Sequence, residues 1–258
     1  MPENGLLFNA QNLNISFGGL KAVCNFNLAL RKNELVGLIG PNGAGKTTIF
    51  NLITGIYKPD SGKIDFTGHR IESLKPYQIA HLGVSRTFQN IRLFGGLSVL
   101  ENVLVACHQH IRYGMSASVL RRSNYYIEES NICKMAADLL RIFGLDGVLN
   151  APAVSLPYGQ QRRLEIVRAL ATQPKLLLLD EPAAGMNPQE SSGLMQLIKD
   201  ILKDFDLTIL LIEHDMQVVM GICERILVLD YGVTIAQGLP EAIRKDPKVI
   251  EAYLGEAV

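Results

Sequence analysis

The pattern of hydrophobic and polar residues predicts strands that alternate with helices. Between Leu13 and Leu30 hydrophobic residues alternate with polar ones, which is the period of half-buried strands, and the pair Gly18-Gly19 predicts a bend. Strands alternating with helices favour a mainly parallel α/β sheet. Short apolar runs predict further strands that are buried on both faces, at 35–39, 176–179, 209–212 and 226–229.

Helical spacing of apolar residues separates these strands. It follows the run at 35–39 and continues until Gly55 ends the helix. Between about Ser98 and Leu149 helical periodicity replaces the strand pattern, which predicts a helical lobe inserted into the sheet protein. The stretch SLPYGQQRR at 155–163 opens another helix. On that helix the apolar positions 164, 167, 170 and 171 share one face, and the charged positions 162, 165 and 168 lie elsewhere.

Composition and charge narrow the class of protein. Hydrophobic residues make up 48% of the 258 residues and charged residues 19%, as in globular proteins. Lys+Arg and Asp+Glu number 25 each, so no overall charge draws the chain to nucleic acid or anionic lipid. The four cysteines are scattered, and no apolar run approaches the roughly 18 residues of a membrane-spanning helix. Since the N-terminal residues lack a signal-peptide pattern, we expect a cytoplasmic protein that reaches a membrane only through partners.

A glycine-rich loop between a predicted strand and a predicted helix carries the clearest chemical signal. GPNGAGKT matches the pattern GxxxxGK[ST], whose backbone N–H groups surround phosphate oxygens. In this pattern the lysine reaches the terminal phosphates and the threonine hydroxyl can hold Mg²⁺. The residues expected to bind the nucleotide here are Gly40, Pro41, Asn42, Gly43, Ala44, Gly45, Lys46, Thr47 and Thr48.

Three other segments place polar residues where they could act on a bound phosphate. Asp180 ends a buried strand and can lie near the Mg²⁺ held by Thr47, and Glu181 is then a candidate to polarise the attacking water. His214 follows another buried strand and could donate a hydrogen bond to the γ-phosphate. Gln89, where the sheet gives way to the helical lobe, could sense Mg²⁺ or water. Each residue alone also fits an ordinary strand end or loop, so the interpretation depends on the glycine-rich loop.

Together these segments resemble the ATP-binding subunit of ABC transporters over nearly the whole chain. GPNGAGKTT is similar to that family's Walker A motif, LLLLDEP to Walker B, RTFQN to the Q-loop and LIEHD to the switch-histidine segment. The position of Phe17 resembles the aromatic A-loop residue that stacks on adenine. The resemblance implies ATP and Mg²⁺ as ligands. The metal ligands that it implies are Thr47, Gln89 and Asp180, and the catalytic residues are Glu181, His214, Lys46 and Gln89.

The helix start at 155–163 is similar to the family's LSGGQ signature. The resemblance implies a head-to-tail dimer in which ATP lies between Walker A of one subunit and the signature of the other. Pro157 replaces a serine that donates to the γ-phosphate, and Tyr158 replaces the first glycine. The helix dipole and backbone N–H groups then remain for phosphate, and two unequal ATP sites are expected if the partner has a complete signature. The signature residues facing the partner's ATP would be Ser155, Leu156, Pro157, Tyr158, Gly159 and Gln160.

The fold implied by the resemblance is α/β. It has a P-loop NTPase core of the RecA-like type with a mainly parallel sheet, an N-terminal antiparallel β part and an inserted helical lobe. We expect a single ABC ATPase domain over residues 1–258. Within it the nucleotide-binding core takes 1–90 and 161–235, the lobe takes 91–160 and ends in the signature, and 236–258 form a C-terminal extension.

Three stretches, RTFQNIRLFGGLSVLENV, DEPAAGMNP and VIEAYLGEA, resemble the subgroup that serves branched-chain amino acid importers. In such systems ATP-driven dimer closure moves a membrane permease. The partners implied are a second ABC ATPase subunit, identical or different, integral permease subunits and, indirectly, a substrate-binding protein. The subunit would then lie on the inner face of the cell membrane, with no nucleic acid partner.

Other functions stay open at this point. The ending YLGE also resembles the ATPase of lipopolysaccharide export. A soluble ABC-type ATPase that acts on nucleic acid or the ribosome is a second alternative, which the single cassette and the balanced charge disfavour. A regulatory nucleotide-binding subunit with little turnover is a third.

Overall fold

The computed structural model describes residues 5–110 and 123–254, which form two compact units. The first, which we call the α/β unit, is made of the chain up to Arg86 and from Lys175 onward. The second, the helical unit, comprises Thr87–Pro174. Residues 255–257 of the VIEAYLGEA segment lie outside the described residues.

The bounds of the strands and helices follow the chain order. The strands are β1 (Leu6–Phe17), β2 (Leu20–Arg31), β3 (Leu35–Ile39), β4 (Ser61–Phe66), β5 (His69–Arg70), β6 (Val84–Arg86), β7 (Leu176–Asp180), β8 (Thr208–Ile212), β9 (Arg225–Asp230) and β10 (Val233–Gly238). The helices are α1 (Lys46–Ile53), α2 (Pro76–Leu82), α3 (Val99–Cys107), α4 (Ser123–Ile142), α5 (Tyr158–Ala171), α6 (Pro188–Asp204), α7 (Met216–Ile222), α8 (Pro240–Arg244) and α9 (Pro247–Leu254).

The larger sheet of the α/β unit is mainly parallel, as predicted. Its strand order is β10-β9-β3-β8-β7-β6, and within it β10 pairs with β9 in the antiparallel direction. All residues of β3, β7 and β8 are buried, which explains why these strands are continuous apolar runs without alternation. The four predicted apolar strands are therefore confirmed. Because β3, β7 and β8 run parallel, the residues that follow their last positions lie at one edge of the sheet.

The smaller sheet is antiparallel and has the order β2-β1-β4-β5. Its long strands β1 and β2 join through Gly18 and Gly19, the predicted bend, and both glycines have positive φ. The buried residues on these strands include Phe8, Leu13 and Phe26, which belong to one apolar core with residues of β3 and α1. The predicted N-terminal antiparallel part is thus confirmed, and it also recruits β4 and β5.

Side-chain caps start several of the helices. In α3 the Ser98 hydroxyl accepts from the Glu101 N–H at 3.2 Å, while the Glu101 carboxylate accepts from the Ser98 N–H at 2.8 Å. Asn187 and Glu190 form the same reciprocal pair at the start of α6. Asp215 caps α7 by accepting from the N–H of Gln217 at 2.8 Å. Each cap satisfies backbone donors that the first turn of a helix leaves without an intrahelical partner.

The helical unit is larger than the predicted lobe at 91–160. It starts at Thr87 and includes the whole of α5, because α5 packs against α3 and α4. The helix that we expected to begin at SLPYGQQRR starts at Tyr158, with its apolar face buried as predicted. Two of the charged positions that lie away from this apolar face, Arg162 and Glu165, are also buried. Both are hydrogen-bonded to a loop that the periodicity of α5 does not reveal.

Several strands were not predicted, namely β4, β5, β6 and β10. Both residues of β5 are exposed, and β10 is only partly buried, so neither carries an apolar alternation that a sequence pattern could detect. Within the part of the chain that the structure describes, no helix combines the length and the apolar character needed to cross a bilayer.

The buried parallel strands generate the first prediction. Leu210 lies in β8, between β3 and β7, and is fully buried. We expect Leu210→Ala to lower the free energy of unfolding by about 2–5 kcal/mol, because it removes buried methyl groups and leaves a cavity. The control Val233→Ala changes a half-exposed residue on the edge strand β10 and should stay within about 0.5 kcal/mol. Urea unfolding of both variants measures the difference, and equal losses would contradict the assignment of β8 to the core.

Candidate active site

The glycine-rich loop connects β3 to α1 and requires glycine at two positions. Gly40 has φ 149° and Gly45 has φ 102°. A Cβ on Gly40 would lie 2.0 Å from the carbonyl oxygen of Leu229, and one on Gly45 would lie 2.6 Å from that of Ala22. Any other residue would therefore collide with main chain that cannot move aside. The loop is a backbone cradle of the kind that binds phosphate.

Lys46 supplies the positive charge of this loop. Its ammonium is buried and donates to the carbonyls of Gly40 at 2.5 Å and Pro41 at 2.8 Å. The charge therefore lies within the loop, at the first residue of α1. Thr47 follows on α1 and is exposed, so its hydroxyl is accessible for a ligand. An ammonium, a helix N-terminus and a glycine cradle together form a site for an anion such as a phosphate group.

The predicted carboxylates lie at the carboxyl edge of the same sheet. Asp180 is the last residue of β7 and pairs in register with Ile212, the last residue of β8. Leu38 of β3 is the partner of Ile212 on its other side, so the ends of these three strands are adjacent. Glu181 comes next and has φ 46°, a left-handed conformation that is uncommon for residues other than glycine. The N–H of Glu181 donates to the carbonyl of Ile212 at 2.9 Å, which holds this conformation.

Asp180 has a partner that sequence reasoning missed. The guanidinium of Arg86, at the end of β6, donates to its Oδ2 at 2.7 Å. The same guanidinium donates to Oδ1 of Asn51 on α1 at 2.6 Å and lies 5.3 Å from the ring centroid of Phe50. Arg86 thus links the carboxylate to the helix that follows the glycine-rich loop. Arg86 is the first residue of RTFQN, but nothing in that motif identifies Asp180 as its partner.

His214 follows β8 and lies between two carboxylates. Its Nδ1 is 3.8 Å from Oε2 of Glu181 and 3.8 Å from Oε2 of Glu213. The Glu213 carboxylate also accepts from the N–H of Ala183 at 2.9 Å, which fixes the chain just after Glu181. Burial raises the pKa of the Glu213 carboxyl, although the Ala183 hydrogen bond opposes this shift. The structure therefore places Glu181 and His214 close together, and adds Glu213 as a neighbour that the sequence did not single out.

The remaining predicted residues occupy other places. Phe17 ends β1, is half-exposed and packs edge-on against Tyr57, with 5.1 Å between ring centroids. Gln89 and the signature segment belong to the helical unit. The carbonyl of Gln89 accepts from Arg162 at 2.6 Å, so α5 holds the main chain of the Q-loop.

The start of α5 shows how the altered signature is built. Pro157 occupies the N-cap position and provides no side-chain cap. The Ser155 hydroxyl donates to the carbonyl of Pro152 at 2.7 Å and is thereby engaged within its own turn. Tyr158 and Gly159 are the first two helical residues, whose N–H groups have no partner inside a helix. These main-chain groups are the phosphate donors that this signature can offer.

The residues present fit a nucleotide and Mg²⁺. The cradle, with no room for a Cβ at Gly40 and Gly45, suits phosphate oxygens. Thr47 and Asp180 offer a hydroxyl and a carboxylate, the hard oxygen ligands that Mg²⁺ prefers. One hydroxyl and one carboxylate are typical of Mg²⁺ sites that water and the phosphates of the substrate complete. Among the described residues no group of three or more His, Cys, Asp or Glu side chains is suited to hold a metal ion.

Comparison with known proteins agrees with this site. Residues 23–184 match the family model described as ABC transporter, and residues 233–258 match the family model described as branched-chain amino acid ATP-binding cassette transporter. The chain is 50% identical to the high-affinity branched-chain amino acid transport ATP-binding protein LivG of Escherichia coli, over 97% of this chain and 98% of the relative. It is 45% identical to BraF of Pseudomonas aeruginosa, a protein of the same description, with the same coverage.

A solved structure supports the same assignment. A crystal structure of an ATP-binding cassette of an ABC transporter, in its ADP conformation, superposes with a TM-score of 0.84 at 30% identity, over 97% of this chain and 99% of the other. Fold and site define a P-loop nucleotide-binding protein. More closely, the chain belongs to the family of ABC transporter ATP-binding proteins. The predicted family and fold class are confirmed.

The buried ion pair at Asp180 generates the second prediction. The side chains of Arg86 and Asp180 are only 6% and 5% exposed. We expect Arg86→Met to lower the free energy of unfolding by about 3–5 kcal/mol, because it leaves the Asp180 carboxylate buried without this cation.

A matched control comes from the surface of the same unit. Arg70 forms an ion pair with Glu72 at the same distance of 2.7 Å, but its side chain is 51% exposed. Arg70→Met should change stability little, because water and salt screen the exposed pair. Chemical denaturation compares the two variants, and a loss for Arg86→Met no larger than that of the control would show that the pair does not hold Asp180.

Proposed function

We propose that this chain is the ATP-hydrolysing subunit of an ABC importer for branched-chain amino acids. One observation carries the proposal: the glycine cradle with Lys46, the carboxylates Asp180 and Glu181, and His214 all lie at one edge of one parallel sheet. The substrate class is supported by the relatives, which are described as branched-chain amino acid transport ATP-binding proteins. The match of residues 233–258 to the branched-chain family model supports it independently.

In the proposed reaction each residue has a separate task. The loop N–H groups and Lys46 bind the β- and γ-phosphates, and Phe17 stacks on the adenine. Thr47 and Asp180 are the groups that would hold Mg²⁺, which would supply positive charge next to the transferring phosphate. Glu181 orients or deprotonates the attacking water.

His214 acts on the γ-phosphate in this proposal. Its Nδ1 is 3.8 Å from one carboxylate oxygen of Glu181 and 3.8 Å from one of Glu213, so the ring lies beside the residue that is proposed to activate the water. A ring N–H of His214 would donate to the γ-phosphate. Phosphoryl transfer needs little covalent chemistry from the protein, so positioning of these groups provides most of the catalysis.

The proposed partners follow from the same assignment. ATP would be bound between this chain's Walker A and the signature of a second ABC ATPase subunit, either a copy of this chain or a related one. Closure of that dimer would drive integral permease subunits that receive the amino acid from a substrate-binding protein. The subunit would then be attached to the cytoplasmic face of the cell membrane through the permease.

Separation of binding from hydrolysis tests the role of Glu181. We expect Glu181→Gln to bind ATP with a dissociation constant within about threefold of wild type but to lose at least about 100-fold in turnover, because the amide cannot accept the proton of the water. The matched control Glu241→Gln, on the exposed surface of α8, should keep both values. Nucleotide binding and phosphate release are measured on the same preparations. Turnover of Glu181→Gln at the wild-type rate would show that another group activates the water.

Restoring the serine of the signature tests the role of Pro157. In mixed dimers, one copy carries Glu181→Gln together with Pro157→Ser, and the other copy is wild type. Hydrolysis then occurs only at the wild-type copy's Walker A, which faces the signature that carries Pro157→Ser. We expect turnover about tenfold faster than in dimers whose first copy carries Glu181→Gln alone, because a hydroxyl that donates to a charged phosphate is added. The extended backbone of Pro157 accommodates serine without strain. Equal rates in the two dimers would mean that Pro157 does not weaken the site.

A further inference from the structure

The helical unit contains a buried charged pair that the reaction above does not use. Arg162 is 0% exposed and donates to Glu165, whose side chain is 6% exposed, at 2.8 Å. Burial raises the pKa of the Glu165 carboxyl, although the nearby Arg162 opposes the shift. A buried ion pair of this kind often contributes no more stability than well-packed apolar residues of similar size. Packing of α5 alone therefore does not explain why the pair is present.

What the pair holds is the main chain of the Q-loop. The guanidinium of Arg162 donates to the carbonyls of Phe88 and Gln89, both at 2.6 Å. Oε1 of Glu165 accepts from the N–H of Phe88 at 3.3 Å and from that of Arg92 at 3.4 Å. Residues 88–92 lie outside any strand or helix, so side chains provide hydrogen bonds that a sheet would otherwise supply.

The guanidinium of Arg162 also contacts Tyr158, the first residue of α5. Arg162 donates to the hydroxyl of Tyr158 at 3.3 Å, and its guanidinium carbon lies 6.0 Å from the centroid of that ring. Tyr158, Arg162 and Glu165 are spaced by four and three residues, so they lie on one face of α5. A glycine at position 158, as in the ordinary signature, could make neither contact.

A second set of contacts continues along the same face of the helix. Arg168 donates to the carbonyl of Arg92, and its guanidinium lies 4.6 Å from the ring centroid of Phe94. The guanidinium of Arg92 in turn lies 4.1 Å from the ring centroid of Phe88. The Q-loop from Phe88 onward and the residues that follow it, as far as Phe94, are thus held to α5.

We propose that Arg162 and Glu165 are positioning residues that fix the Q-loop main chain at 88–92 to the signature start at Tyr158. Neither side chain touches the nucleotide. They keep the Q-loop main chain and the helix start that would face the partner's ATP in one arrangement. This inference rests on the proposed function, because only there does the helix start face a nucleotide.

The test replaces the pair by apolar residues, Arg162→Met with Glu165→Leu, in the full chain. Because such replacements are often neutral for stability, we expect the thermal midpoint to change by no more than about 5 °C. The control is Asp138→Asn with Arg141→Met. It removes an ion pair at the same three-residue spacing in the same unit, at 3.0 Å, with side chains 47% and 67% exposed.

Hydrogen exchange measures directly whether Arg162 and Glu165 hold the main chain of the Q-loop. The amides of Phe88 and Arg92 should exchange at least about tenfold faster in the apolar double variant, because they lose a charged acceptor. The control should leave their exchange unchanged. If the double variant does not fold, Arg162→Lys serves instead, since lysine keeps the charge but lacks the fork that donates to two carbonyls. Its expected result is also faster exchange, and unchanged exchange in the folded variant overturns the proposal.

The rate of ATP hydrolysis measures what loss of the Arg162–Glu165 pair does to turnover. We expect the double variant to lose about tenfold or more in kcat while KM for ATP stays within about threefold, because the residues that bind the phosphates lie in the α/β unit. Tyr158→Phe should lower kcat by roughly two- to tenfold in the wild-type chain and have no effect in the double variant, since the two changes act on one network. An unchanged kcat, or additive effects, would contradict the link to the signature. If the wild-type chain hydrolyses no ATP, the proposed function fails, whereas the exchange rates still decide whether the link exists.

Discussion

The glycine-rich loop is held in the α/β unit by direct main-chain contacts with β2 and the β9–β10 turn. These contacts are so close that they leave no room for a side chain. Gly40 lies against the carbonyl of Leu229, and both Gly45 and Gly232 lie against that of Ala22. Hydrogen bonds join the same segments, from Gly232 N–H to the Ala44 carbonyl at 2.9 Å and from Cys24 N–H to the Gly232 carbonyl at 2.8 Å. The antiparallel sheet, the loop and the β9–β10 turn thereby fix one another. A phosphate cradle built this way is preorganised, since its donors cannot relax independently.

Buried charges occur at the places where the chain must hold a particular main-chain or side-chain orientation. Arg86 holds the carboxylate of Asp180 at the end of β7, and Glu213 holds the segment after Glu181 by accepting from the N–H of Ala183. Desolvation makes each buried charge costly unless hydrogen bonds satisfy it. The partners of these buried side chains lie in the candidate active site rather than in the apolar core. The buried charges therefore position the site more than they stabilise the fold. A catalytic site that works mainly by electrostatics needs this kind of support.

The sequence was sufficient for the buried strands, the glycine-rich loop and the helix start at Tyr158, because these depend on local periodicity and on residues next to one another. It was insufficient for Arg86, whose partner Asp180 is 94 positions away, and for Arg162, 74 positions from Phe88. Those contacts exist only after strand order and helix packing are established. Helical periodicity was misleading at Glu165 for the same reason, since a charge is expected to face solvent unless a distant partner is known.

The altered signature makes the orientation of α5 more important than it would be with a serine at position 157. Proline has no hydroxyl to donate, and the Ser155 hydroxyl is engaged by the Pro152 carbonyl. In the proposed dimer the N–H groups at the start of α5 would carry phosphate recognition, and main-chain donors, unlike a hydroxyl, cannot rotate to meet a ligand. Their direction is set by the placement of the helix alone. Arg162 donates to the hydroxyl of Tyr158 at that start and to the Phe88 carbonyl of the Q-loop, and in the proposed function this fixed helix placement would compensate for the donor that proline removes.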